Sequence, residues 1–291
     1  MKRRRWPAWR TGVFFLGIAT LLFALVPALD VLAADLFSVH MLQHMLLTAI
    51  APPLLFIGEP VRPVLMGLPE LVRANVVRPL ARNGPVRAVV HLLRHPLVAA
   101  LVFVGGVFLW HWPDLYVAAV TDARVHVLEH AHFFGGAMLF WSVVIDPVPF
   151  RGTLPYAARI IYLLIAGAAQ NTLLGGLLSF STRVLYPHYS DRTAAYGLDA
   201  LTDQRIGGAL MWVIGDAVFL VGVSLAFFRW LAHEEETQRR REHVERGHQR
   251  DEQRRDAEEE DPRAPRRPPP PLHPAHAARV GHRREDGGDD G

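Results

Sequence analysis

The chain has 291 residues, no cysteine, and 31 Lys/Arg against 28 Asp/Glu, a formal net charge of +3. Without cysteine there is no disulfide framework, CxxC site or thiolate ligand, so any metal must be held by His, Met or carboxylate. The basic pI of 9.6 does not signal nucleic acid, because the basic residues lie where a bilayer topology puts them. Mean hydropathy is only +0.15, because a polar C-terminal region dilutes an apolar one. Residues 232–291 hold 13 Arg and 16 Asp/Glu, whereas residues 1–231 hold 18 Lys/Arg and 12 Asp/Glu.

Apolar runs of spanning length lie at about 12–33, 40–58, 96–113, 124–146, 157–180 and 205–231. Roughly 20 residues rising about 1.5 Å each cross 30 Å of hydrocarbon. Lipid offers no partner to free backbone groups, so these runs are expected to be helices. The fold class is therefore all-α, a polytopic transmembrane helix bundle of about six spans (1–231) followed by a disordered, charged, cytoplasmic tail (232–291).

The first run follows Lys2, Arg3, Arg4 and Arg5 and ends in Val31-Leu32-Ala33, which resembles a signal peptide with its cleavage site. Its apolar stretch exceeds the usual length of such a region, which favours a retained span. The second run contains Ala51-Pro52-Pro53, where neither proline can donate to the carbonyl four residues earlier, and a kink is expected. In the third, Pro96 suits the first position of a helix, and Trp110 and Trp112 suit an interfacial belt. The pairs Gly105-Gly106, Gly135-Gly136, Gly175-Gly176 and Gly207-Gly208 allow close helix approach. The tail is charged from His233, proline-rich at 268–271 and then Gly/Asp-rich, with scattered histidines. Such a segment cannot bury a core.

Orientation follows from the basic residues. Lys2 to Arg5 and Arg10 precede the first span, Arg62, Arg73, Arg78, Arg82, Arg87 and Arg94 fill the second connection, and Arg151 lies in the fourth. The first connection has Asp30 and Asp35 and no Arg or Lys, and the third has only Arg124. Arg183 and Arg192 in the fifth run mildly against the trend. Both termini are expected on the cytoplasmic side of the cell (plasma) membrane.

Helical spacing selects the residues able to carry chemistry. The second span opens with His40-Met41-Leu42-Gln43-His44-Met45, in which His40 and His44 share a face with Met41 and Met45 beside them. The fourth opens with His126-Val127-Leu128-Glu129-His130, and the third closes with His111-Trp112-Pro113. Under the topology above all three clusters meet at the outer face, with His44, His111 and His130 roughly 6–10 Å below the surface. Gln170, Asn171 and Met211 fall at a similar level, and Asp216 falls near mid-bilayer.

Polar groups at that depth face the bundle interior and therefore one another. His with nearby Met and no Cys suits copper, and less well zinc, which His and Glu129 would suit. Haem held by paired histidines is the alternative, as in an electron carrier or a haem-modifying enzyme. A solitary histidine would be a helix–helix hydrogen-bonding group, but five on three helices at one level exceed that explanation. His91 and His95 lie in the second connection, His132 is on another face, and His188 in the outer loop is an additional weaker candidate. No phosphate loop, nucleophile triad or dinucleotide fingerprint is present, and no enzymatic activity is expected.

The same strings resemble a known family. His40-Met41-Leu42-Gln43-His44-Met45-Leu46-Leu47 followed by Ala51-Pro52-Pro53-Leu54-Leu55 is similar to the polytopic CtaG family of cytochrome c oxidase assembly factors, distinct from the single-span copper chaperone of the same name. The likeness runs through His95-Pro96, Leu109-Trp110-His111-Trp112-Pro113, His126 to His130, Phe140-Trp141, Tyr186-Pro187, Asp203-Gln204 and Met211-Trp212, over roughly residues 6–230. It implies a membrane assembly factor that helps a haem–copper oxidase acquire copper, with oxidase subunits and the lipid bilayer as partners. Members usually carry a further span ahead of the one starting near Gly12, which this sequence does not show. The expected metal residues are His40, His44, His111, His126 and His130, with Met41, Met45 and Glu129 beside them.

Overall fold

The computed structural model describes residues 7–147 and 154–260. The basic residues 2–5, Arg151 and the proline-rich stretch 268–271 lie outside the described residues. Among the described residues every regular element is a helix.

The first apolar run is a bent pair, α1 (Ala8–Ala24) and α2 (Pro27–Asp35), meeting at 51°. Pro27 has no N–H to continue the ladder, so the helix breaks at Leu25 and Val26. The Ala24 carbonyl at the break accepts instead from Gln43 Nε2 at 2.9 Å. Gln43 lies on α3 (Phe37–Ile57), which carries the second run.

Here Ala51-Pro52-Pro53 is absorbed as a π-helical turn over Leu46–Ile50, one of the recognised ways a helix accommodates lost ladder bonds. Pro52 cannot donate to the Thr48 carbonyl, and the indole Nε1–H of Trp141 does so at 3.0 Å. The expected disruption is therefore repaired by a side chain from another span.

The basic second connection contains short helices, among them Val61–Gly67 and Arg78–Arg82, and then α4 (Gly84–Leu93). α4 meets α5 (Pro96–Trp110) at 59°, with Pro96 starting the new helix as its position predicted. A short α6 (Pro113–Thr121) leads to α7 (Ala123–Ile145), α8 (Tyr156–Ser179) and α9 (Ala200–Glu260). Helices α3, α7, α8 and α9 are long and apolar enough to cross a membrane, and the number reaches six when each bent pair counts as one crossing.

The bundle core contains Phe37, Met41, Phe103, Tyr116, Phe133, Phe140, Trp141 and Phe219. The Trp141 and Phe219 rings stack with centroids 5.5 Å apart. α8 and α9 touch through glycine. A Cβ on Gly175 would lie 2.8 Å from the Gly208 carbonyl oxygen, and one on Gly208 would lie 2.7 Å from that of Gly175. No larger residue permits that approach.

At the end where α7 finishes, Asp146 turns the chain at φ 51° and pairs with Arg159 and, at 3.5 Å, with Arg94. The guanidinium groups donate to the last carbonyls of α7, Arg159 to Val144 and Arg94 to Ser142, each at 2.9 Å. Cations are favoured at a helix C-terminus for this reason.

The chain divides into a unit ending at His233 and a second beginning at Glu234. The described part of the second differs from the structureless tail that composition suggested, because α9 continues helically to Glu260. Its sequence places Glu and Arg four apart, as in Glu236–Arg240 (2.5 Å) and Glu242–Arg246 (2.9 Å). Such pairs support a helix locally even where no core is buried.

Candidate metal centre

Three helix ends meet on the side of the bundle away from Asp146. They are the starts of α3 and α7 and the finish of α5, as the positions of the histidines required. Local capping sets each one. Asp122 accepts from the Arg124 and Val125 amides and starts α7, which puts His126 about one turn inside.

The first residues of α3 have no cap of their own; Leu36 at the N-cap contributes no side-chain bond. Asp203 of α9 supplies it. Its carboxylate accepts from the Phe37 amide at 2.6 Å, the Ser38 amide at 3.2 Å and the Ser38 hydroxyl at 2.5 Å. A carboxylate at a helix N-terminus also suits the helix dipole. The last span thus anchors the turn that bears His40.

The tightest group is His40, His126, Glu129 and His130, whose ligand atoms all lie within 4.8 Å of one another. His126, Glu129, His130 and Phe133 fall on one face of α7 by their spacing. Glu129, expected only beside the site, is at its centre. It is fully buried, with its carboxylate oxygens 3.5 Å from His40 Nε2 and 3.7 Å from His44 Nε2. Neither of those oxygens has a hydrogen-bond donor, and neither do His40 Nε2, His130 Nε2 or either ring nitrogen of His44. Buried polar atoms are ordinarily satisfied, and such a concentration of exceptions needs an explanation.

The hydrogen-bond network orients the His40 ring. The Tyr189 hydroxyl donates to the Ala33 carbonyl at 3.2 Å. With that proton committed, the Tyr116 hydroxyl donates to Tyr189 at 2.8 Å. His40 Nδ1–H then donates to Tyr116, also at 2.8 Å. This leaves the Nε2 lone pair facing Glu129, the arrangement by which an outer partner presents a histidine to a metal. Burial raises the pKa of the Tyr189 hydroxyl, which therefore remains a donor.

His44 packs beside this group, its ring 4.2 Å from that of His40 and 5.5 Å from that of His130 between centroids. His111 is separated from His44 by 6.3 Å between centroids, and its Nε2 approaches Met41 Sδ at 3.4 Å. Met45 belongs to the apolar core. His126 is half-buried and lines, with His40, Asp30, Ala33, Ala34 and Val120, a cavity of about 60 Å³. That cavity is large enough to hold water.

His132 and His188 have other partners. His132 Nε2 donates to the Val102 carbonyl at 3.2 Å and occupies the space opened by Gly106, where a Cβ would lie 2.5 Å from the ring. His188 Nε2 donates to the Ala34 carbonyl at 3.1 Å. Gln170 and Asn171 are buried and bond to each other at 2.8 Å, and Asp216 accepts from the Thr172 hydroxyl at 2.6 Å.

Sequence reasoning missed Tyr116, Tyr189 and Asp203 as supports of the site. Tyrosine in a connection carries no spacing signal. Asp203 stood out only as part of the Asp203-Gln204 string of the family resemblance, which says nothing of a cap on another span.

The donor set has the chemistry that suits a metal ion: convergent imidazole nitrogens and a carboxylate, with His40 Nε2, His130 Nε2 and both Glu129 oxygens otherwise unmet. Relatives were found among curated proteins. An uncharacterized protein of Mycobacterium bovis is 29% identical over 238 residues, covering 78% of this chain and 35% of its own length. One of Mycobacterium tuberculosis matches to the same extent, and one of Mycobacterium leprae is 27% identical over 232 residues, covering 77% of this chain and 34% of its own. The chain thus spans about a third of the length of these relatives. No solved structure matches it. The model of the family described as cytochrome c oxidase caa3 assembly factor (Caa3_CtaG) matches residues 1–233, the whole of the helical unit that builds the centre. The chain belongs to the cytochrome c oxidase caa3 assembly factor family.

Proposed function

We propose that this membrane protein assists assembly of a haem–copper oxidase by holding copper at its histidine centre, as cargo in transit to the oxidase. The observation that carries the reading is the convergence of His40, His126, Glu129 and His130 within 4.8 Å, with buried ligand atoms that no hydrogen bond satisfies. Imidazole with carboxylate also suits zinc; a thioether at Met41 near His44 and His111 inclines the set toward copper.

The role is one of binding and delivery, without catalysis. It places the protein in the cell membrane that houses the oxidase, with the histidine end facing outward where copper arrives. The basic residues at the opposite end, including Arg94 and Arg159, agree with a cytoplasmic location there. Oxidase subunits are the partners and the bilayer is the solvent.

Haem has less support. The cavity beside the histidines is about 60 Å³, against the roughly 300–1,000 Å³ of pockets that hold organic ligands.

The test is copper content per folded molecule of the purified full chain, together with its absorption spectrum. Replacement His130→Ala should lower bound copper and client maturation, and His91→Ala should change neither. Full copper and normal oxidase assembly in the His130 variant would overturn the proposal, and a Soret band would favour haem.

A further inference from the structure

His111 donates Nδ1–H to the Val107 carbonyl one turn earlier, at 2.7 Å. A carbonyl only accepts, so in the neutral ring the lone pair is on Nε2. That nitrogen is 3.4 Å from Met41 Sδ, and a thioether sulfur has no proton to give. Two acceptors therefore face each other in a buried position, with His111 7% and Met41 0% exposed. A cation between them resolves the conflict.

His44 is within reach. Both of its ring nitrogens are buried without a hydrogen-bond partner, and its ring lies 6.3 Å from that of His111. The same ring is also next to His40 and His130.

The two halves of the cluster differ in chemistry. His40, His126 and His130 share a carboxylate, a harder donor, and their imidazoles accept zinc or copper in either oxidation state. His44, His111 and Met41 offer two imidazoles and a thioether, a softer set that selects monovalent copper. From this juxtaposition we propose a second coordination station, formed by Met41, His44 and His111 and specific for monovalent copper. It lies beside the carboxylate-containing station, so that one molecule accommodates two ions. His44 adjoins both stations and can be the ligand exchanged when a monovalent copper ion passes between them; the ion stays monovalent and no electron is transferred in that step. The inference rests on the copper reading above and adds to it the number of ions and the oxidation state preferred at one of them.

The experiment is an anaerobic titration of the purified full chain in detergent with Cu(I), supplied against a chromophoric chelator, followed by X-ray absorption of the loaded protein. Two equivalents and a sulfur scatterer are expected for the native chain. Met41→Leu, which nearly preserves core volume, should bind one equivalent and lose the sulfur signal. His126→Ala should bind one equivalent and keep it. The native sulfur signal depends on no variant and so survives any folding defect. A single native equivalent, or two without sulfur and unaffected by Met41→Leu, would overturn the second station while leaving the copper reading intact. No bound copper at all would overturn both.

Discussion

Replacing Glu129 by Gln should raise stability without metal and reduce the stabilisation that metal adds. Glu129 is fully buried, and neither carboxylate oxygen receives a hydrogen bond. Its nearest polar neighbours, His40 Nε2 and His44 Nε2, stand at 3.5 and 3.7 Å. An unsatisfied buried polar group costs about 1–3 kcal/mol, and more when charged. Glutamine keeps the shape and removes the charge, so the metal-free variant should be more stable than the native chain by on the order of 1–3 kcal/mol. In the presence of metal that advantage shrinks. A ligand present at 100 times its Kd adds about 2.7 kcal/mol to the state that binds it. The amide is a poor ligand and forfeits much of that gain. The assay is thermal unfolding of the purified chain in detergent, with and without Cu(I), for both proteins. The variant should melt higher without metal and rise less when metal is added. A variant that melts lower without metal and keeps the full native rise would refute the reasoning.

Asp203→Ala strands three buried donors at the start of α3; at about 1–3 kcal/mol each the loss should be several kcal/mol, with Asp203→Asn milder, and an unchanged melting point for the Ala variant would show that α3 is capped otherwise. Trp141→Phe removes the only side-chain donor on the Thr48 carbonyl among the described residues and should cost about 1–3 kcal/mol, read as a lower melting midpoint. The chain has no cysteine, so single cysteines at Ala88 and Ala194 can be labelled cleanly; they should react from opposite sides of the membrane, and labelling from one side would break the topology.

The sequence by itself determined the helical class, the crossing segments and the identity of the metal candidates. Each of these depends on local quantities. Spanning length follows from a count of apolar residues, and the shared faces of His40 with His44 and of His126 with His130 follow from the 3.6-residue turn. Three helix ends fall at one level because each histidine lies a known number of residues from a span end.

Only tertiary structure decided which of these groups converge. Glu129 moved from the margin to the centre because His40 of α3 points at it across a helix boundary, and azimuth between helices is not encoded in spacing along either one. The Tyr189, Tyr116 and His40 relay joins residues up to 149 positions apart, and the cap on α3 comes from Asp203, 166 positions from Phe37. The proline pair shows the same division. Its missing donors were legible in the sequence, whereas the Trp141 indole that compensates one of them could be found only once α3 and α7 were packed together.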